Sequence, residues 1–200
     1  RVGQPMPCGN EGAGTVVAAG SSPDAQALLG ATVSGVSGSM FASHTKLSHV
    51  MCILVPGGIA AADAASSFVN PLTALGMTET MRLEGHSAIV HTAAASNLGQ
   101  MLNRLCQADG IPLVNVVRRN EQADLLRAAG ADHVVVSSAD SFADDLTAAI
   151  TATGATLAFD AIGGGEQVDT LLASMEKASS AGQAFSRYGS DTPKQVYLYG

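Results

Sequence analysis

The stretch HTAAASNLGQMLNRLC, residues 91–106, reads as the end of a buried strand that turns sharply into a helix. Its apolar positions Leu98, Met101, Leu102, Leu105 and Cys106 follow the i, i+3, i+4, i+7, i+8 spacing that lays one stripe of a helix on a sheet. Gln100, Asn103, Arg104 and Gln107 fall on the opposite, polar face. Such a junction is where doubly wound proteins hold the pyrophosphate of a dinucleotide, ordinarily with three glycines. Here only Gly99 is present, and Ser96 and Asn97 stand where glycine is expected. The chemistry asks for backbone N–H groups aimed outward at a helix start, where the macrodipole favours an anion. Asn enters the left-handed region more readily than most residues, and Ser96 is a good N-cap whose hydroxyl is also able to bond a phosphate oxygen. Ala95, Ser96, Asn97 and Leu98 are therefore candidate pyrophosphate contacts. The alternative, a Ser96 that only caps the helix beside an empty turn, fits the motif alone equally well.

Working outward from this junction, the runs SAIVHTAA, IPLVNVVRR, HVVVSS, TLAFDAIG and QVYLYG alternate with segments of helical periodicity. Five strands of a doubly wound, Rossmann-like parallel sheet, an α/β fold, are expected from that alternation. A second helix is predicted over about Glu121–Ala129, with Gly130 as its C′ residue, and a third over Phe142–Thr151, stopping before Gly154. The polar, turn-rich KASSAGQAFSRYGSDTPK before the last strand reads as a surface excursion. Toward the N-terminus the pattern changes to short strand-like pieces, GTVVAAG, ATVSGVSG and HVMCILVP, broken by Gly, Ser and Pro. Residues 1–58 are thus expected to form a small β-rich module, and Pro56, Gly57 and Gly58 its joint. Residues 59–200 form the cofactor-binding domain, with linking helices over 59–82. A start without Met and an end directly after a strand suggest a piece of a longer protein.

Apolar residues make up 46% and charged residues 14% of the 200 positions, which suits strands buried on both faces and excludes a disordered solvating segment. A net charge of −7 argues against nucleic-acid binding, which needs a basic surface. Cys8, Cys52 and Cys106 are odd in number and far apart, so neither a disulfide framework nor a zinc knot is indicated and a reduced cytoplasmic setting is expected. No apolar run approaches the roughly 20 residues of a membrane span.

The second strand bears on the cofactor. About 20 residues past the glycine turn, NAD-binding folds place a carboxylate against the ribose 2′-hydroxyl, whereas NADP-binding folds place arginine there. This chain reads VVRRN, so Arg118, Arg119 and Asn120 close the strand with no carboxylate before Glu121. A 2′-phosphate, and hence NADP(H), is the cofactor this arrangement suits. The alternative, a solvated basic pair at a helix start, opposes the helix dipole.

The ordered set NEGAGTVVAAGS, NPLTALGM, SAIVHTAAASNLGQ, LRAAGADHVV and FDAIGGG resembles the medium-chain dehydrogenase/reductase superfamily, specifically its zinc-free quinone oxidoreductase branch, over nearly the whole chain. The resemblance implies a GroES-like β-rich catalytic domain, here partial, beside a Rossmann domain, with the active site in the cleft between them. It implies NADPH-linked hydride transfer to a quinone or another activated, electron-poor double bond, and a homodimer. A second reading is a non-catalytic NADP(H)-binding sensor or structural homologue.

Residue by residue, the resemblance places Asn70 and Thr73 of the NPLTA segment beside the nicotinamide, with helix capping by Asn70 ahead of Pro71 as the alternative. Ser137 and Ser138 stand after the third strand, where branch members often carry Tyr against the adenosine side. Asp160 ends the fourth strand and either faces ligand or orders the Gly163, Gly164, Gly165 loop, with Gly163 a cofactor contact. Zinc-dependent relatives have Gly-His-Glu where this chain has Gly9, Asn10 and Glu11, so no catalytic metal is expected. His91 reads as a core histidine, and His44 and His49 as surface or packing residues. No general acid stands out, and no GxSxG elbow is present.

Overall fold

The computed structural model describes residues 3–199 apart from residues 5, 164, 184 and 185. Two compact units make up the chain, Arg1–Leu72 and Thr73–Gly200, so the division falls within the linking helices, after the Pro56–Gly58 joint.

In the first unit β1 (Glu11–Thr15), β2 (Thr32–Val36) and β3 (Cys52–Leu54) form an antiparallel sheet in that order. A short helix α1 (Pro23–Ala27), capped by Ser22, lies between the first two strands, and α2 (Ala61–Ala64) follows the third. The first strand lies earlier than the sequence pattern suggests: Glu11 to Thr15 pair with Val36 to Thr32, while Val17 is exposed. The small residues at its start look like loop, but the Met40 side chain occupies the space beside Gly12, where an added Cβ would come within 3.2 Å.

The second unit is a doubly wound α/β layer structure. Helix α3 (Val69–Leu83) leads into it, and then β4 (Ile89–His91), α4 (Asn97–Asp109), β5 (Leu113–Val117), α5 (Asn120–Ala128), β6 (His133–Val136), α6 (Phe142–Thr153), β7 (Leu157–Asp160), α7 (Glu166–Ser180) and β8 (Gln195–Leu198) follow. The five strands are parallel in the order β6-β5-β4-β7-β8 and coincide with the five runs read from the sequence. Strand order reverses at β4, which opens a crevice at the carboxyl ends of β4 and β7.

The period-two alternation of each strand divides the core. Val90, Val114, Val116, Val135 and Ala158 face α6 and α7, meeting Leu146, Ile150, Leu171 and Met175. Ile89, Leu113, Leu157 and Phe159 face the other way, against Met77 and Met81 of α3 and Leu98, Leu102 and Cys106 of α4. Each such fully buried side chain contributes roughly 1.5–3 kcal/mol over its exposed state, so two complete faces account for the absence of alternating polar positions in these strands.

Two local expectations are corrected. Asn103, placed on the polar face of α4, is 2% exposed, because the stripe on this helix is wide enough to bring it against β5, where its Oδ1 accepts from Asn115 Nδ2 at 3.4 Å. Helix α6 runs to Thr153, two residues beyond the expected end, and stops at Gly154, whose φ of 71° ends the helix in the left-handed region. The excursion after α7 is tied down: Glu176 accepts from the Ser190 amide and hydroxyl at 2.8 and 3.0 Å and pairs with Lys194 at 2.5 Å. Residues 184 and 185 of that excursion, and Gly164 of the glycine loop, lie outside the described residues.

Candidate functional site

The turn after β4 is held by three backbone bonds. Thr92 N–H donates to Phe159 O and Ala94 N–H to Val116 O, both at 3.1 Å, and Ser96 N–H donates to Ala93 O at 2.9 Å. The first two tie the turn between β7 and β5, on the carboxyl edge of the sheet. The left-handed residue of the turn is Ala93, with φ of 49°, and Asn97 instead takes the first position of α4. Ser96 caps the helix, its Oγ accepting from Gly99 N–H at 3.1 Å. That leaves the amides of Asn97 and Leu98, which have no intrahelical acceptor by the geometry of a helix start, available to an anion. Ser96 and Asn97 are exposed and Ala95 is partly so, whereas the Leu98 side chain is buried and offers only its backbone. Gly99 has a distinct job: an added Cβ would lie 2.2 Å from Ala94 O, so only glycine lets α4 start this close to the strand.

Two residues beyond the Val116 carbonyl that holds Ala94, the chain emerges as Arg118, Arg119 and Asn120, all exposed. The Gln122 side chain accepts from both arginine amides at 3.1 Å, which fixes the backbone of the β5–α5 corner. The guanidinium groups form no ion pair among the described residues; Arg127, Arg82, Lys177 and Lys194 all do. Ser137 N–H donates to Val117 O at 2.7 Å and Ser138 Oγ–H to Arg118 O at 2.6 Å, bringing the end of β6 to the same corner. On the other side of the turn Asp160 is fully buried. Its carboxylate accepts from Thr92 Oγ1–H at 2.6 Å and from the amides of Ile162 and Gly163 at 3.2 and 3.1 Å. Its carboxylate therefore ties the loop to the turn, and Gly163 adjoins the turn through Asp160 and Thr92. The structure thus brings Ala95 to Leu98, Arg118 to Asn120, Ser137 and Gly163 to one sheet edge.

This set fits a phosphorylated dinucleotide: N–H donors at a helix start, a close approach that only glycine permits, and unpaired cations one strand away. Among the described residues no group of three His, Cys, Asp or Glu side chains is arranged to hold a metal ion.

Comparison with known proteins agrees with this fold. Residues 98–183 match the family described as zinc-binding dehydrogenase. A structure from Mesorhizobium loti assigned as an NADPH:quinone reductase superposes with a TM-score of 0.78 at 28% identity, covering 96% of this chain and 60% of that one. Another, from Bacillus thuringiensis and assigned likewise, gives 0.67 at 26% identity over 85% and 52%. The mitochondrial enoyl-[acyl-carrier-protein] reductase of Bos taurus is 32% identical over 133 residues, 64% of this chain and 36% of that protein. The chain belongs to the medium-chain dehydrogenase/reductase superfamily. It spans little more than a third of that mammalian relative.

At the position where zinc-dependent superfamily members carry Gly-His-Glu, Glu11 serves a structural purpose: its Oε2 accepts from the amides of Phe68 and Val69 at 3.2 and 2.7 Å. It satisfies the start of α3, so Asn70, inside the first turn, is not the cap that its place before Pro71 suggests. No local pattern announces this, because the cap comes from a strand more than fifty positions earlier. Thr73, further along the same helix, directly precedes Ala74, which packs against the cluster containing Leu98. His91 is a core histidine as expected, fully buried and bonded to Tyr199, a residue that the sequence reading passed over.

Proposed function

We propose that this chain is the cofactor-binding part of an NADP(H)-dependent oxidoreductase that passes a hydride to a quinone or another activated α,β-unsaturated carbonyl, without zinc. The observation that carries the reading is the pair of exposed, unpaired guanidiniums of Arg118 and Arg119 beside the amide-bearing turn 95–98. When bound, the reduced nicotinamide supplies the hydride from its C4. The chain's own work is orientation: Asn97 and Leu98 amides with Ser96 hold the pyrophosphate, and Arg118, Arg119 and Asn120 the 2′-phosphate. Ser137 lines the adenosine side, and Gly163, Asn70 and Thr73 serve the nicotinamide half. A charged hydrogen bond contributes about 1.5–3 kcal/mol, enough for one arginine to favour NADPH over NADH about ten-fold or more.

The choice of acceptor is supported from two sides. The bacterial relatives are assigned as quinone reductases, and the mammalian one reduces enoyl groups by its name; both substrate types pair an electron-poor C=C with a carbonyl. Residues 1–58 are read as part of a GroES-like catalytic domain. The same proposal includes a reduced cytoplasmic setting, in keeping with three free cysteines, and a homodimer.

Steady-state NADPH oxidation tests it, using the protein with a benzoquinone, an enone and an enoyl thioester as acceptors. Turnover of at least one is expected, with NADH a markedly poorer donor. NADPH binding without turnover of any of the three would instead identify a non-catalytic binder.

A further inference from the structure

His91, Phe159 and Tyr197 are in register across β4, β7 and β8, with the Phe159 and Tyr197 rings stacked at 5.5 Å. Tyr199 lies two residues beyond Tyr197, on the same side, at the carboxyl end of β8. Its amide donates to Asp160 O at 3.0 Å, extending the ladder by one step. From there its side chain reaches back across β7 to His91: the rings stack at 5.8 Å with an 18° interplanar angle, and Tyr199 Oη lies 2.5 Å from His91 Nε2. The ring thus closes the core at the crevice edge of the sheet. His91 is fully buried, and its Nδ1 has no partner among the described residues, whereas Tyr199 is only half-buried.

The proton arrangement follows from the unpartnered nitrogen. A buried N–H without an acceptor costs more than a bare acceptor nitrogen, so the imidazole proton belongs on Nε2 and is donated to Tyr199 Oη. The phenol then cannot direct its own proton at His91 and has it free for an acceptor from outside the chain. With the 2′-phosphate grip at the end of β5, the second mononucleotide of the cofactor falls on the opposite half of the sheet, over β7 and β8.

We propose that Tyr199, oriented by His91, forms the floor of the nicotinamide end of the crevice and donates its hydroxyl proton to the carboxamide oxygen of the ring. Tyr199 is then a cofactor contact and His91 a positioning residue that acts through it. This rests on the NADP(H) reading above, and the test separates the two. Binding of NADPH is compared with binding of 2′-phospho-ADP-ribose, which keeps the 2′-phosphate and pyrophosphate and lacks the nicotinamide, for wild type, Tyr199→Phe, His91→Phe and the double variant. Nicotinamide fluorescence reports the environment of the ring, and thermal melts report folding.

Tyr199→Phe is expected to weaken NADPH about three- to ten-fold, the range of one hydrogen bond, and to leave 2′-phospho-ADP-ribose unchanged. His91→Phe, which keeps a ring for stacking and offers no nitrogen, is expected to behave alike, with the double variant no weaker than Tyr199→Phe. Unchanged NADPH affinity and ring fluorescence in Tyr199→Phe would overturn the proposal while leaving the NADP(H) reading intact. Equal weakening of both probes would overturn it too, by showing a structural role. Binding of neither probe by wild type would remove the NADP(H) reading and the proposal together.

Discussion

His91 shows how one residue carries information that its sequence context only half reveals. Sitting in the middle of an apolar run, it reads as a core residue, and its burial agrees. Burial pushes its imidazole down to about 4 from the ordinary 6.5, and the nearby Asp160 carboxylate opposes this more weakly. Among the described residues Asp160 and Tyr199 are the titratable neighbours that face it, and the Tyr199 phenol is itself pushed up to about 12, chiefly by burial. In the unfolded chain the ring takes up its proton near pH 6.5, while the folded protein resists until about pH 4. The stability from a neutral His91 is therefore complete above pH 6.5 and lost as pH falls from there toward 4. At about 1.4 kcal/mol per pH unit, wild type should lose on the order of 2 kcal/mol more than His91→Phe between pH 7.5 and 5, measured by urea unfolding. Parallel losses would show that His91 does not titrate with folding. The role of Tyr199 was not legible because the pairing joins residues 108 positions apart through a strand register that no local pattern encodes.

At the scale of elements, α4 and the turn before it show which parts of the motif matter physically. The helical stripe and the cap at Ser96 are local features that lie where the spacing puts them, except that the stripe widens to bury Asn103. The left-handed position was misplaced, since Ala93 carries it and Asn97 is helical. Propensity pointed to Asn, whereas backbone bonds from Thr92 and Ala94 to the neighbouring strands dictate the conformation between them. Gly99→Ala is the sharpest test at this level. Its new Cβ would meet backbone, which has no rotamer to escape into, so a loss of about 1–3 kcal/mol or more is expected, although alanine is the better helix former by about 1 kcal/mol. Chemical denaturation checks it; a stabilised variant would mean that α4 does not start against Ala94. The capping of α3 by Glu11 was invisible for the reason that hid Tyr199: the partner lies in another element.

At the scale of the whole molecule, the fold of residues 73–200 was legible because five apolar runs, the central three buried on both faces and the two edge runs partly so, alternate with amphipathic helices at the spacing of βαβ units. The N-terminal unit was less so, since Gly12 and Gly14 occupy a strand in place of β-branched residues. The candidates that follow a strand, Ala95 to Leu98, Arg118 to Asn120, Ser137 and Gly163, converge on one edge of the sheet because its strands are parallel, and the crevice opens where the order reverses at β4, a property of topology that the alternation of elements implies; Asn70 and Thr73, on α3, do not follow from it. Net charge of −7 sharpens the meaning of Arg118 and Arg119: on an acidic molecule, two adjacent cations without an ion pair among the described residues, at the carboxyl edge of the sheet, are where an anion would be drawn. The decisive measurement is the ratio of NADPH to NADH affinity by titration calorimetry, for the wild-type protein and for the Arg118→Ala, Arg119→Ala double variant. The assignment of the 2′-phosphate site predicts a preference for NADPH of about ten-fold or more that falls toward unity in the double variant. An equal affinity for the two cofactors, or a preference that survives loss of both arginines, would contradict it.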